Sequence, residues 1–288
     1  MSGKTGKYKK IITAILTSFI LLISVTAVTG FIFFTKNYDI VIETDNKQEA
    51  HVKEKAKEKN SVPGNAGNTP QSTSSLTTEK VFTVVIDAGH QKVGDPGQEP
   101  VAPGASQTKA KVASGTKGIV TQKPECEVTL EIAQILNAEL KSRGYNVIMV
   151  RESNDVNISN SERAAVANNA NADAFLRLHC NGSNDSNVNG ALSMCQTKNN
   201  PYCGSLYTYS RKLSECVLSC LCAETGAKNR GVSETDSMSG INWCKVPVTI
   251  IEMGFMTNPA EDRLLSDVDY QKKLAAGIAN GLDLYFKN

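Results

Sequence analysis

Two of the three histidines in this 288-residue chain stand where a sheet could use them. His90 follows the apolar run VFTVVID (81–87), and His179 lies within DAFLRLHC (173–180). Glu252 closes a third run, VPVTIIEMG (246–254). Short apolar, β-branched runs read as buried strands. In an open α/β sheet, ligands gather at the carboxyl ends of the strands, so three polar side chains are expected at one edge. Glu125 begins a helical pattern after a long loop and can return to that edge. Two neutral imidazoles and a carboxylate make a three-ligand zinc site with a fourth position for water. Such an ion acidifies water and polarises a carbonyl, and a further carboxylate can serve as general base and acid. The set on offer is His90, Glu125 and His179 as ligands and Glu252 as base. It is no compact local motif such as HExxH, and each histidine taken alone also fits a capping role. Glu252 differs, because a carboxylate behind largely apolar strand residues is costly to bury without a partner.

The elements that must hold these residues alternate. Strands are expected at 81–87, 145–150, 173–180, 190–195 and 246–254. Helices are expected at 125–143, 160–170, 205–224 and 267–286. In the first helix Leu130, Ala133, Leu136 and Leu140 recur at helical spacing, with Pro124 at the entrance and Gly144 at the exit. This alternation implies an α/β fold, a three-layer sandwich around a mostly parallel twisted sheet with helices on both faces.

Four segments, in this order, carry a resemblance: VVIDAGHQ (84–91), ECEVTLEIA (125–133), SERAAVANNANADAFLRLHCNG (161–182) and TIIEMGFMTNPAEDRLL (249–265). Together they resemble the zinc-dependent N-acetylmuramoyl-L-alanine amidases of the type 3 amidase family, over about 82–286. The resemblance implies Zn2+ held by His90, Glu125 and His179, a catalytic Glu252, and peptidoglycan as substrate. Glu125 matches the family's E-x-x-V-x-L pattern, with Glu127 as its rival. Two departures concern substrate rather than metal. Gln91 stands where D-P-G-H-G ends in glycine, and Arg177 stands where S-I-H-x-N begins with serine. Arg177 shares a strand face with His179 by period-two alternation. It is expected to contact substrate or to pair with Glu252 or another acid, and Asn181 is a second candidate substrate contact. The rival functions are another zinc peptidase or deacetylase of the cell wall, or a non-catalytic wall-binding protein tethered to the membrane. A protein regulator is left open.

The remainder of the chain sets the context. The net charge of +2 gives no mandate for nucleic-acid binding, and the excess is N-terminal: residues 1–80 hold 11 Lys/Arg against 7 Asp/Glu. Residues 11–34 carry no charge, and 24 helical residues span about 36 Å, enough to cross a bilayer core. The rival is a cleaved signal peptide, but the apolar run continues past Val25-Thr26-Ala27 to Phe34. Lys4, Lys7, Lys9 and Lys10 precede the span, so the positive-inside rule puts a cytoplasmic basic segment at 1–10 and the catalytic domain, 81–288, outside the cell. Residues 35–80, rich in charge and then in Ser, Thr, Gly, Asn and Pro, read as a disordered linker. The Gly- and Pro-rich insert 94–118 is expected as a loop over the substrate cleft. All eight cysteines fall in the domain, with Cys195 and Cys203 the best single pair for a disulfide in an exported protein.

Overall fold

The computed structural model describes residues 80–287. The basic segment at 1–10, the span at 11–34 and all but the last residue of the linker at 35–80 therefore lie outside the described residues. Among those described, no helix is long and apolar enough to cross a membrane.

A six-stranded sheet forms the middle layer, in the order β4 (Asn146–Met149), β1 (Thr83–Ala88), β5 (Ala174–Asn181), β8 (Val248–Phe255), β6 (Ala191–Cys195), β7 (Asn229–Glu234). All neighbours are parallel except β6 and β8. The helices α1 (Glu125–Ser142), α2 (Asn160–Asn169), α3 (Tyr207–Thr225), α4 (Ser239–Asn242), α5 (Pro259–Leu265) and α6 (Val268–Lys287) complete the domain. Helix α1 starts after an extended Pro124 and stops at Gly144, whose φ of 87° suits glycine. Helix α2 starts with a capping box between Ser159 and Glu162.

Period-two alternation sorts the strand residues between two cores. Val84, Ile86 and Ala88, with Leu176, Leu178, Ile251 and Met253, enter the larger one under α1, α3 and α6. Val85, Phe175, Val248 and Ile250 enter the smaller one, under α2 and α4. The long helices α3 and α6 touch at backbone distance. A Cβ on Gly281 would lie 2.5 Å from the Cα of Val217, and one on Gly277 would lie 2.7 Å from that of Leu221.

Five elements exceed the sequence reading. The insert is a hairpin, β2 (Asp95–Pro100) with β3 (Thr108–Val112), rather than an irregular loop. Of its strand residues only Glu99 and Val112 are buried, so no apolar alternation marks it. β7 is an edge strand with no buried residue, and α4 and α5 are too short to show periodicity. All eight cysteines are free thiols. The expected pair does not form: Cys195 ends a strand of the main sheet, whereas Cys203 belongs to the smaller core.

Candidate metal centre and substrate cleft

The smaller helices leave the carboxyl edge of their sheet face open, and the chemistry collects there. Register pairs Asp87 with Arg177 across β1 and β5, Arg177 with Ile250 and His179 with Glu252 across β5 and β8. Parallel partners project to the same face, so these side chains continue the rows begun by Val85, Phe175 and Val248.

His90 Nε2, His179 Nδ1 and Glu125 Oε1 form a near-equilateral triangle. The two nitrogens are 3.1 Å apart, and each is 3.2 Å from the oxygen. A tetrahedral zinc with bonds of about 2.0–2.1 Å separates its ligand atoms by roughly 3.3–3.4 Å, so the triangle has nearly the size such an ion requires. Helix α1 aims Glu125 inward, while Glu127 is exposed, so of the two only Glu125 joins the triangle.

Surrounding groups fix each member. His90 Nδ1 lies 2.8 Å from the Ala113 carbonyl. A carbonyl only accepts, so Nδ1 carries the proton and Nε2 of the neutral ring presents its lone pair to the centre. Glu125 accepts from the Thr116 and Cys180 amides, both at 2.9 Å. The His179 ring lies flat on Gly89, where a Cβ would come within 2.4 Å of it. Burial pushes the Glu125 carboxyl up, but bonding to His179 and His90 outweighs it and leaves the acid well below its ordinary range. Burial opposes charge on both rings. Glu125 overcomes it at His90, whose pKa is raised, and not at His179, whose pKa is lowered.

Glu252 stands beside the triangle without joining it. Its Oε2 is buried and has no hydrogen-bond partner among the described residues. Burial first, and then the charge of Glu125, raises its pKa to about 8. Two imidazoles and one carboxylate are a donor set suited to Zn2+, and the orphaned carboxylate oxygen beside them is of a kind that can take up or release a proton. The residues fit the ion.

A cleft of about 400 Å³ opens over these groups. The β2–β3 hairpin, through Lys109–Ala113, forms one wall, and Ser237–Gly240 before and within α4 form the other. The insert thus walls the cleft, as expected, although as a hairpin. Arg177 lines the cleft and pairs with an acid, but that acid is Asp87, at 2.9 Å. Asn181 does not line the cleft, and its side chain accepts from the Gly182 amide instead.

The supporting polar network escaped the sequence reading. His90 has a φ of 61°, uncommon for a side-chain-bearing residue. Buried guanidiniums hold that bend: Arg151 donates to the Ala88 and Gly89 carbonyls, and Arg163 donates to those of Ala88 and His90. Asp87, fully buried, bridges Arg163 and Arg177 at 2.6 and 2.9 Å. Asp262 accepts from the Val120 and Thr121 amides and so fixes the loop that delivers Glu125. The available signal was charge inside apolar runs, at Asp87 after VVI and at Arg163 in SERAA.

Comparison with known proteins agrees with this geometry. The chain is 32% identical over 167 residues to N-acetylmuramoyl-L-alanine amidase LytC of Bacillus subtilis, a stretch that covers 57% of this chain and 31% of LytC. The chain thus spans about a third of that relative's length. The crystal structure of an N-acetylmuramoyl-L-alanine amidase from Clostridium difficile 630 superposes with a TM-score of 0.59 at 26% identity, covering 72% of this chain and 98% of that one. Ami1 of Mycobacterium smegmatis, at 23% identity and a TM-score of 0.65 over 72% and 97% of the two chains, shares the fold. A family profile described as N-acetylmuramoyl-L-alanine amidase matches residues 84–283, more than half of the sequence and nearly all of the described domain, and the chain belongs to that family.

Proposed function

We propose that this protein is a zinc-dependent hydrolase of the amide bond between N-acetylmuramic acid and L-alanine in bacterial peptidoglycan. The observation that carries this reading is the triangle of His90, Glu125 and His179 beside the orphaned carboxylate of Glu252. Family membership supplies the substrate class. When bound at the triangle, zinc would polarise the scissile carbonyl and acidify the attacking water. Glu252 takes the proton of that water, and its raised affinity for protons suits it to hold it. It then gives the proton to the leaving amine of L-alanine, so that one carboxyl serves as base and then acid. The hairpin and the Ser237–Gly240 wall orient the glycopeptide between them. The charge-free stretch 11–34, with lysines before it, supports a single N-terminal span that holds the domain outside the cell membrane.

The test uses the purified full chain and muropeptides, with and without a zinc chelator, with products read by mass spectrometry. Chelator-sensitive release of stem peptides that begin with a free L-alanine amine is the expected result. Cleavage at another bond would point to a peptidase or deacetylase and refute the substrate assignment. Intact muropeptides despite bound zinc would refute catalysis by this domain alone.

A further inference from the structure

The floor of the cleft holds a buried guanidinium that neither the metal triangle nor the acid–base step uses. Arg177 is 4% exposed, yet it lines the cleft. Two of its three nitrogens are committed: Nε donates to Asp87 at 2.9 Å, and Nη2 donates to Asn160 at 2.8 Å. Nη1 has no hydrogen-bond partner among the described residues, and it is absent from the sealed, unpartnered buried atoms. It sits over the bare Cα of Gly240, where a Cβ would fall 1.3 Å from it. Gly240 also lines the cleft, so the wall is hollowed to admit the guanidinium.

Asp87 is the single carboxylate that pairs with Arg163 and Arg177, so two guanidiniums share one ion-pair partner beneath the cleft. Lys109, bonded across the cleft to the Ser237 carbonyl, adds a further cation at the rim. An unpaired guanidinium edge recognises a carboxylate.

The geometry points to the carboxylate involved. Arg177 and His179 are alternate residues of one strand, roughly 6.6 Å apart along it. Two extended peptide residues cover roughly 7 Å. A stem peptide whose scissile muramoyl carbonyl lies at the metal triangle therefore brings the free α-carboxylate of its second residue, a γ-linked D-glutamate, within reach of Arg177. We propose that Arg177 is a specificity-determining residue that binds this carboxylate and selects D-isoglutamate stems over amidated D-isoglutamine stems. The inference rests on the amidase reading above.

The experiment compares kcat/KM of the full, zinc-loaded chain on N-acetylmuramoyl-L-alanyl-γ-D-glutamyl-L-lysine and on its D-isoglutaminyl counterpart, which differ only in whether the α-carboxyl of the second residue is free or amidated. The wild-type protein should favour the carboxylate substrate by roughly tenfold to a hundredfold, the size of a charge-assisted hydrogen bond. In Arg177→Met that ratio should collapse towards one, whatever the overall rate. Asp87 keeps Arg163 in this variant, so a paired buried carboxylate remains. Arg177→Lys, which retains charge without the planar fork, should show a reduced preference, and it serves as the reading if the methionine variant does not fold. Equal cleavage of both substrates by the wild type, or an unchanged ratio in the variants, overturns the inference and leaves the amidase reading standing. Cleavage of neither substrate refutes that reading, and this inference with it.

Discussion

Replacing Glu252 by glutamine should separate two consequences of one carboxylate. In the metal-free protein the folded state raises this group from its ordinary 4.5 to about 8, through burial and the neighbouring charge of Glu125. A raised folded pKa means that the native state holds the proton more tightly than the unfolded chain does. Stability from this group is therefore fully present below pH 4.5 and is lost as pH rises towards 8. At about 1.4 kcal/mol per unit, the loss reaches at most about 3 kcal/mol by pH 7 and about 5 kcal/mol by pH 8. Glutamine does not titrate, so its variant lacks this loss, although its buried amide still needs a partner. For a domain of this size each kcal/mol moves Tm by roughly 2–4 °C. In chelator, the variant should match wild type near pH 5 and melt roughly 5–15 °C higher at pH 8. Zinc should narrow the gap, since a nearby cation favours the ionised carboxylate. Turnover of the zinc-loaded variant should fall by about 10²–10⁴. Thermal unfolding across pH 5–8, followed by circular dichroism, reads the first effect, and muropeptide hydrolysis reads the second. A gap independent of pH, or a variant less stable than wild type at pH 8, would refute the stability argument. Turnover within tenfold of wild type would remove Glu252 from the proton transfer.

Three further outcomes follow from neighbouring parts of the structure. Burial alone would raise Asp87, but Arg163 and Arg177 outweigh it and hold the acid at about 2. Its contribution, roughly 2 kcal/mol, should be lost as pH falls from about 4 to 2. Asp87→Asn should cost about 3–5 kcal/mol in urea unfolding at pH 7 by stranding two buried cations, and should flatten that acid limb. Gly89→Ala drives a methyl group into the His179 ring, so zinc affinity measured by competition with a chromophoric chelator should fall at least tenfold while the fold is retained; unchanged affinity would contradict the packing. Gly281→Val should wedge α3 from α6 at a cost of about 1–3 kcal/mol, visible as a lower Tm with zinc affinity preserved.

The large elements were legible because they combine burial with length. VFTVVID and VPVTIIEMG are apolar along their whole run, as parallel strands covered on both faces must be. Helix α1 shows its buried stripe and both of its boundaries. The hairpin was hidden for the opposite reason: DPGQEP and TKAKV bury one residue each, and their pairing depends on tertiary neighbours, such as the Trp243 indole donating to the Pro100 carbonyl at 2.9 Å. The contact between Gly277 and Gly281 and α3 is likewise silent in a hydropathy pattern, because glycine contributes space instead of surface. The candidate ligand set was legible as histidines at or just past strand ends and a glutamate at a helix start. The choice of Glu125 over Glu127 required either the family pattern or the helix phase that exposes one and buries the other.

What the sequence could not convey is why these candidate ligands hold their positions. His179 rides on a sheet strand, but His90 sits at a left-handed bend past one, and Glu125 enters after residues 113–124, which belong to no named strand or helix. Two of the three ligands therefore depend on irregular backbone, and irregular backbone leaves carbonyls unpaired. The protein answers with guanidiniums, whose several donors can satisfy several carbonyls at once: Arg151 and Arg163 between them bind those of Ala88, Gly89 and His90. Burying that much positive charge requires Asp87, and Asp87 in turn draws Arg177 into the floor of the cleft. One chain of electrostatic necessity thus runs from the bend that aims His90 to the cation at the floor of the cleft. A single buried carboxylate couples the shaping of the candidate metal site to the placement of a guanidinium in the cleft beside it.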